Sequence, residues 1–161
     1  MKTLVIVRHA KSSWDQDVID FERPLKKRGI NDAALVANEF KKMNVKIDKV
    51  LSSSANRAAT TCDIFCGILN IDQEKIEYNK LLYDFSGSQV MAEIKNLDNS
   101  KDIVMVFGHN YALTSIVNEL GDTYIENLPT SGLAIIQFDV GNWSDINKGK
   151  TMFTLFPKEL R

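Results

Sequence analysis

The sequence predicts an α/β fold, a three-layer α/β/α sandwich with a mostly parallel sheet and an antiparallel edge. Short apolar runs rich in β-branched residues alternate with segments whose apolar residues recur at helical spacing. This alternation is typical of parallel strands joined by helices that cover both faces of a sheet. The last two runs, 133–140 and 151–156, are separated only by the loop 141–150, which predicts an antiparallel pair at one edge. No repeat or linker interrupts the 161 residues, so we expect one domain over residues 1–161.

The first half of the chain predicts two strands and two helices. The first strand is a continuous apolar run, as expected for a buried strand. Between it and the first helix lies a polar, irregular stretch that Pro24 prevents from forming a continuous helix. The second strand runs into the short loop Ser53-Ser54. The predicted elements are a strand over 3–8, a helix over 31–43, a strand over 49–52 and a helix over 56–69.

The second half continues the alternation and then ends in two strands. Its most regular helix carries apolar residues at helical spacing and ends before Gly121. The predicted elements are a strand over 76–78, a helix over 86–97, a strand over 102–108, a helix over 111–120, and strands over 133–140 and 151–156.

Composition narrows the classes of protein to which the chain can belong. Lys and Arg total 20 against 21 Asp and Glu, a formal net charge of −1. Proteins that bind nucleic acid or anionic membranes normally carry a basic surplus, so we expect neither partner. No apolar run approaches the roughly 18 residues of a membrane span, and the N-terminal run is too short for a signal peptide. We therefore expect a cytoplasmic protein.

The two histidines of the chain occupy equivalent positions. His9 follows the predicted strand 3–8, and His109 follows the predicted strand 102–108. Ligands of open α/β sheets bind outside the carboxyl ends of the strands. The sequence thus predicts that the two imidazoles face each other across one site.

Three of the five arginines accompany these histidines. Arg8 precedes His9, Arg23 precedes Pro24, and Arg57 lies near the start of a predicted helix. A helix N-terminus favours an anion, and the guanidinium fork suits phosphate oxygens. An imidazole nucleophile among several cations matches phosphoryl transfer, with arginines neutralising charge in place of a metal ion. We expect no cofactor and no metal.

The two cysteines offer no metal site. Cys62 and Cys66 lie four residues apart on one apolar helix face, which indicates core packing. A zinc site needs three or four ligands, and no second cysteine pair exists.

Several segments, in order along nearly the whole chain, carry a resemblance to a known family. They are Val7-Arg8-His9-Ala10-Lys11-Ser12-Ser13-Trp14, Glu22-Arg23-Pro24-Leu25 with Arg28-Gly29, Leu51-Ser52-Ser53-Ser54-Ala55-Asn56-Arg57-Ala58, Leu82-Tyr83-Asp84, Gly108-His109-Asn110 and Leu128-Pro129-Thr130-Ser131-Gly132. With these motifs the chain resembles the histidine phosphatase superfamily, and more closely its short SixA-like branch of phosphohistidine phosphatases. The resemblance implies a phosphoglycerate mutase-like fold.

The resemblance also implies roles for individual residues. His9 would be phosphorylated during turnover, and Arg8, Arg57 and His109 would complete the phosphate pocket. Arg23 would join them, and Asn110, next to His109, is a further candidate for phosphate binding. The usual Arg-His-Gly motif is Arg-His-Ala in this chain, which keeps a small residue.

The sequence offers one candidate for a general acid. Many superfamily members use a Glu or Asp that the segment Leu82-Tyr83-Asp84 would supply, which makes Asp84 the candidate, although SixA-like proteins can lack a clear acid. A protonated phosphohistidine leaves as neutral imidazole and needs little further protonation, unlike an alkoxide. The segment between Asp84 and His109 is also too short to hold the insertions that close over small substrates in phosphoglycerate mutase relatives. We therefore expect no lid subdomain and an open, shallow site.

Three functions remain as alternatives. The first is a metal-independent phosphatase acting on phosphohistidine in a partner protein, such as a histidine-containing phosphotransfer domain. The second keeps the same histidine chemistry but acts on a small phosphomonoester or phosphoanhydride. The third is a phosphate-binding module without turnover.

Overall fold

The computed structural model describes all 161 residues, and its centre is one six-stranded sheet. The strands are β1 (Lys2–Arg8), β2 (Lys49–Ser53), β3 (Ile76–Asn79), β4 (Ile103–Gly108), β5 (Leu133–Phe138) and β6 (Lys150–Leu155). Their order across the sheet is β3-β2-β4-β1-β5-β6. The chain thus returns to the middle of the sheet with β4, between β2 and β1.

The sheet is parallel on one side and antiparallel on the other. Strands β3, β2, β4 and β1 are parallel neighbours, whereas β5 runs antiparallel to both β1 and β6. Strands β1 and β4 end side by side, with Arg8 paired with Gly108. The predicted fold class, including the antiparallel edge, is confirmed. The parallel register brings the residues that follow β1, β2 and β4 to the same edge.

Helices cover both faces of the sheet. They are α1 (Lys27–Lys41), α2 (Asn56–Leu69), α3 (Ser88–Lys95), α4 (Ala112–Leu120) and the short C-terminal α5 (Pro157–Leu160). Because successive side chains of β1 point to opposite faces, Val5 packs with α1 and α2, whereas Ile6 packs with α3 and α4. Cys62 and Cys66 are buried in the core between the sheet and helices α1 and α2, as predicted.

Helix α1 begins four residues earlier than the sequence predicts, at Lys27 instead of residue 31. Gly29, in its first turn, lies so close to the preceding loop that a Cβ atom there would come 2.2 Å from the carbonyl oxygen of Lys11. The same oxygen accepts the N–H of Lys26 at 2.9 Å. This contact with the loop fixes the start of α1, and it is invisible to helical periodicity.

Two short 3-10 helices lie in regions predicted as irregular, Asp20–Glu22 and Trp143–Asp145. Trp143 is fully buried, and its indole N–H donates to the carbonyl oxygen of Lys101 at 2.6 Å. The loop before β6 therefore closes one end of the core as well as connecting two strands. None of the helices has the length and apolar character needed to cross a membrane.

Candidate active site

Both histidines lie at the carboxyl edge of the parallel strands. The backbone N–H of His9 donates to the carbonyl oxygen of Gly108 at 3.0 Å, which ties the end of β1 to the end of β4. The imidazole rings of His9 and His109 lie with their centroids 5.3 Å apart. His9 lines an open cleft of about 300 Å³ together with Arg8, Arg23 and Arg57, and the buried ring of His109 lies beside that of His9. The structure thus brings together all five residues that the sequence placed at one site.

His9 presents one ring nitrogen with a free lone pair. Its Nδ1 lies 2.8 Å from the carbonyl oxygen of Ala10, which only accepts hydrogen bonds, so Nδ1 carries the proton. The pKa of His9 is lowered to about 3, chiefly by burial; the hydrogen bond to Ala10 acts against this shift, and the charges of Arg8 and Arg57 add to it. At neutral pH the ring is therefore uncharged, with Nε2 unprotonated. A neutral imidazole held in this tautomer is a competent nucleophile.

His109 is fully buried and is also held neutral. Burial lowers its pKa to about 3, with Arg57 as the next cause. Its Nε2 lies 2.8 Å from the hydroxyl oxygen of Ser53, the last residue of β2. The rings of Tyr83 and Phe85 pack around it, each with its centroid 5.3 Å away. The position of the imidazole is thus fixed by β2, β4 and the segment after β3.

Arg57, in the first turn of α2, is held by a residue that the sequence analysis did not single out. Its two terminal nitrogens donate to the backbone oxygen of Asp20 at 2.7 Å and to the carboxylate of Asp20 at 2.9 Å. The Tyr83 hydroxyl donates to the same carboxylate at 2.5 Å, and Arg23 donates to it at 3.1 Å. Burial acts to raise the pKa of Asp20, but these hydrogen bonds outweigh it and hold the pKa well below its ordinary value. Asp20 is therefore an ionised anchor for two cleft arginines.

Arg23 is fixed on every side. Its Nε donates to the carbonyl oxygen of Ser13 at 3.0 Å, and one terminal nitrogen donates to the hydroxyl of Ser12 at 2.5 Å. The indole ring of Trp14 lies on the guanidinium, with its centroid 3.2 Å from Cζ. A guanidinium held in this way loses little entropy when it binds an oxyanion.

Three buried side-chain atoms have no hydrogen-bond partner within the protein: Nε of Arg8, Nδ1 of His109 and Oγ of Ser131. Ser131 adjoins the site, since its backbone N–H donates to the carbonyl oxygens of Arg8 and His9 at 3.2 Å. Buried polar groups are normally paired. The three atoms belong to His109 and to two residues next to His9, and Nε of Arg8 and Oγ of Ser131 can each donate a hydrogen bond to an oxyanion.

Comparison with known proteins identifies the family. The model of the histidine phosphatase superfamily (branch 1) matches residues 4–84, a stretch that contains Arg8, His9, Arg23 and Arg57. The chain belongs to the histidine phosphatase superfamily. An uncharacterized protein of Mycobacterium tuberculosis is 30% identical over 153 residues, covering 89% of this chain and 93% of that protein.

Solved structures show the same fold over the full length. The protein histidine phosphatase SixA in complex with tungstate superposes with a TM-score of 0.83 at 27% identity, covering 99% of both chains. A phosphoglycerate mutase from Bacillus anthracis superposes with a TM-score of 0.68 at 15% identity, covering 89% of this chain and 94% of that one. The chain is thus a SixA-like member of the superfamily with a phosphoglycerate mutase-like fold.

The structure gives Asp84 a different task from the acid role that the sequence analysis suggested. One oxygen of Asp84 accepts the backbone N–H groups of Gly87, Gln89 and Val90, at 3.0 to 3.1 Å, and the other accepts from Ser86 at 3.1 Å. Burial acts to raise the pKa of Asp84, but the hydrogen bonds outweigh it and lower the pKa. A general acid of this phosphatase would have to carry a proton. These contacts favour a role for Asp84 in capping the start of α3, and its role as an acid stays a prediction that Asp84→Asn tests.

Asn110 lines the cleft but is largely engaged in packing. Its Oδ1 accepts the N–H and the hydroxyl of Thr114 at 3.1 and 2.8 Å, and its Nδ2 donates to Asn127 at 2.7 Å. The side chain thus holds the start of α4 beside the cleft. Its one remaining amide hydrogen is all that it can offer to a phosphate.

Sequence reasoning missed Asp20 and assigned no role to Ser53. Asp20 lies in the irregular stretch before α1, where no periodicity shows which side chains point inward. Its position three residues before Arg23 was the one available signal, and it acquires meaning only when Arg57 is placed next to both.

Proposed function

We propose that this phosphatase removes the phosphoryl group from phosphohistidine in a partner protein, through a covalent intermediate on His9. The observation that carries the proposal is that the site presents a nucleophile but holds its nearby carboxylates without a proton. Nε2 of His9 is unprotonated and free, whereas the cleft carboxylate Asp20 and the candidate acid Asp84 are both held ionised by hydrogen bonds. Such a site suits a leaving group that needs no proton.

In the first step, Nε2 of His9 forms a bond to phosphorus while the bond between phosphorus and the substrate imidazole breaks. A phosphohistidine already protonated on its other nitrogen leaves as neutral imidazole. The phosphorylated His9 ring then carries a positive charge, which the carbonyl oxygen of Ala10 stabilises through the Nδ1–H. In the second step, water attacks phosphorus, the bond to Nε2 breaks, and dihydrogen phosphate leaves with both hydrogens of the water.

The arginines supply the charge that the transferring group requires. Arg8, Arg23 and Arg57 bring three positive charges to the cleft, and Asp20 offsets one of them. Fixed donors aimed at a transition state contribute about 2.7 to 4 kcal/mol each. This arrangement leaves no step that requires a metal ion, and no group of three His, Cys, Asp or Glu side chains is arranged to hold one.

The rim of the cleft supports a protein as the substrate. The side chains of Trp14 and Phe85 line the opening and are 74% and 47% exposed. Aromatic side chains of this kind are enriched in protein interfaces. SixA, whose structure is so similar, is named a protein histidine phosphatase, and its ligand tungstate is a tetrahedral oxyanion like phosphate.

The test is a comparison of kcat/KM on three substrates. They are a phosphorylated histidine-containing phosphotransfer domain, free phosphohistidine, and a sugar phosphate. The first two share a leaving group, so their ratio isolates the contribution of the protein surface. The last two lack that surface, so their ratio isolates the leaving group. His9→Ala gives the background rate for each.

We expect the phosphorylated domain to be the best substrate and the sugar phosphate the worst. A sugar phosphate turned over faster than the domain would overturn the proposal in favour of a small phosphomonoester. Binding of phosphate without turnover of any of the three would identify a phosphate-binding module.

A further inference from the structure

The two imidazoles of the site have opposite roles toward a phosphoryl group. His9 must present a lone pair to phosphorus, whereas a second histidine that binds a phosphoryl oxygen must present an N–H. The tautomer of His9 is set by the Ala10 carbonyl, which only accepts. The partner of His109 is the hydroxyl of Ser53, at 2.8 Å, and a hydroxyl can either donate or accept. The tautomer of His109 therefore depends on where the hydroxyl hydrogen of Ser53 goes.

The hydrogen-bond partners of the Ser53 hydroxyl determine where its hydrogen lies. Its Oγ makes two hydrogen bonds, one with Nε2 of His109 and one that it accepts from the backbone N–H of Ala55 at 3.2 Å. The imidazole nitrogen is thus the acceptor available to the hydroxyl hydrogen. In the opposite tautomer, Nε2–H would donate to Oγ, and the fully buried hydroxyl hydrogen of Ser53 would have no acceptor.

We propose that Ser53 is a positioning residue that donates its hydroxyl hydrogen to Nε2 of His109 and thereby places the ring proton on Nδ1. Nδ1 is the ring nitrogen without a partner in the protein, so its hydrogen becomes a donor for a phosphoryl oxygen. The inference rests on the proposed function in that the acceptor is a phosphoryl group, whatever the leaving group. The segment from the end of β2 to the first turn of α2 thus contributes both Arg57 and the residue that sets the tautomer of His109.

Nitrogen-15 NMR of the imidazoles tests the proposal directly, because the chain contains only two histidines. Protonated and unprotonated ring nitrogens resonate in well-separated regions, and His9→Ala assigns the signals. At neutral pH we expect both rings to be neutral with Nδ1 protonated. Inorganic phosphate or vanadate should shift the Nδ1–H signal of His109.

Three variants separate the tautomer from general packing. In Ser53→Ala we expect His109 to gain the Nε2–H tautomer and kcat/KM to fall about 10- to 100-fold, by analogy with the partners that orient metal-binding histidines. Ser53→Thr keeps the hydroxyl and should restore the wild-type tautomer. Ser52→Ala is the matched control, since Ser52 is equally buried but its hydroxyl donates to the backbone oxygen of Ser53. It should change neither the tautomer nor the rate.

An Nε2–H tautomer of His109 in the wild-type protein would overturn the proposal, even if no variant folds. Unchanged tautomer and activity in folded Ser53→Ala would overturn it as well. Failure of the phosphohistidine assay is a separate result, because the tautomer and its response to phosphate do not depend on which phosphate compound is hydrolysed.

Discussion

Replacing Arg57 by Ala tests whether the cleft arginines stabilise the transferring phosphoryl group. Arg57 is 3% exposed and is oriented by two hydrogen bonds to Asp20, so its guanidinium meets the substrate already in place. Loss of one fixed donor costs about 2.7 to 4 kcal/mol of transition-state stabilisation, which is roughly a 100- to 1000-fold loss of kcat. Steady-state hydrolysis of a phosphohistidine protein measures the effect.

Arg28→Ala is the matched control. The Arg28 side chain is 69% exposed, and its nearest carboxylate, that of Asp32, lies 4.0 Å away. We expect this variant to keep close to wild-type activity. Arg57→Lys should be impaired too, because a single ammonium group cannot contact the backbone oxygen of Asp20, its carboxylate and a phosphoryl oxygen together. Equal losses in Arg57→Ala and Arg28→Ala, with both proteins folded, would refute the assignment of Arg57.

Three further predictions concern metal, pH and Asp84. Activity should survive EDTA and be inhibited by vanadate, and loss on chelation that a divalent metal restores would reject the arginine-based mechanism. Because burial lowers the pKa of His9 and His109 to about 3, the unfolded chain takes up protons first as pH falls below about 6.5. The free energy of unfolding should therefore decrease between pH 6.5 and 3, by up to ~1.4 kcal/mol per pH unit for each histidine, and denaturant titrations of His9→Ala should show a shallower decrease. Asp84→Asn should lower stability by roughly 1 kcal/mol and leave hydrolysis of phosphohistidine protein nearly unchanged, whereas a large loss of activity in a folded variant would restore the acid role.

The fold was predictable because apolar residues recur along the sequence at the spacing of strands and helices. The buried run of β1 and the regular helix α2 show their period directly, and α2 was predicted with its observed bounds, Asn56–Leu69. The start of α1 was not predictable, because it depends on the contact between Gly29 and the backbone of Lys11. The contact joins two segments that are distant in sequence, and local sequence patterns do not show that they lie close together.

The part of the candidate site that lies at the ends of strands was predictable from the sequence. His9 and His109 follow two strands that are neighbours in the parallel sheet, so their approach followed from the fold class. Asp20 was not predictable, because its role requires knowledge that Arg23 and Arg57 share one carboxylate. For Asp84 the chemical type was right for an acid, but its hydrogen bonds to the backbone of α3 decide its protonation state.

Identification of the phosphorylated residue is the decisive test of His9 as the nucleophile. Brief incubation with a phosphorylated histidine-containing phosphotransfer domain, followed by rapid quenching in base and peptide mass spectrometry, captures the covalent intermediate. We expect one phosphoryl group on His9, stable in base, lost in acid and absent from His9→Ala. A phosphoryl group on any other residue, or undiminished turnover by His9→Ala, would contradict it.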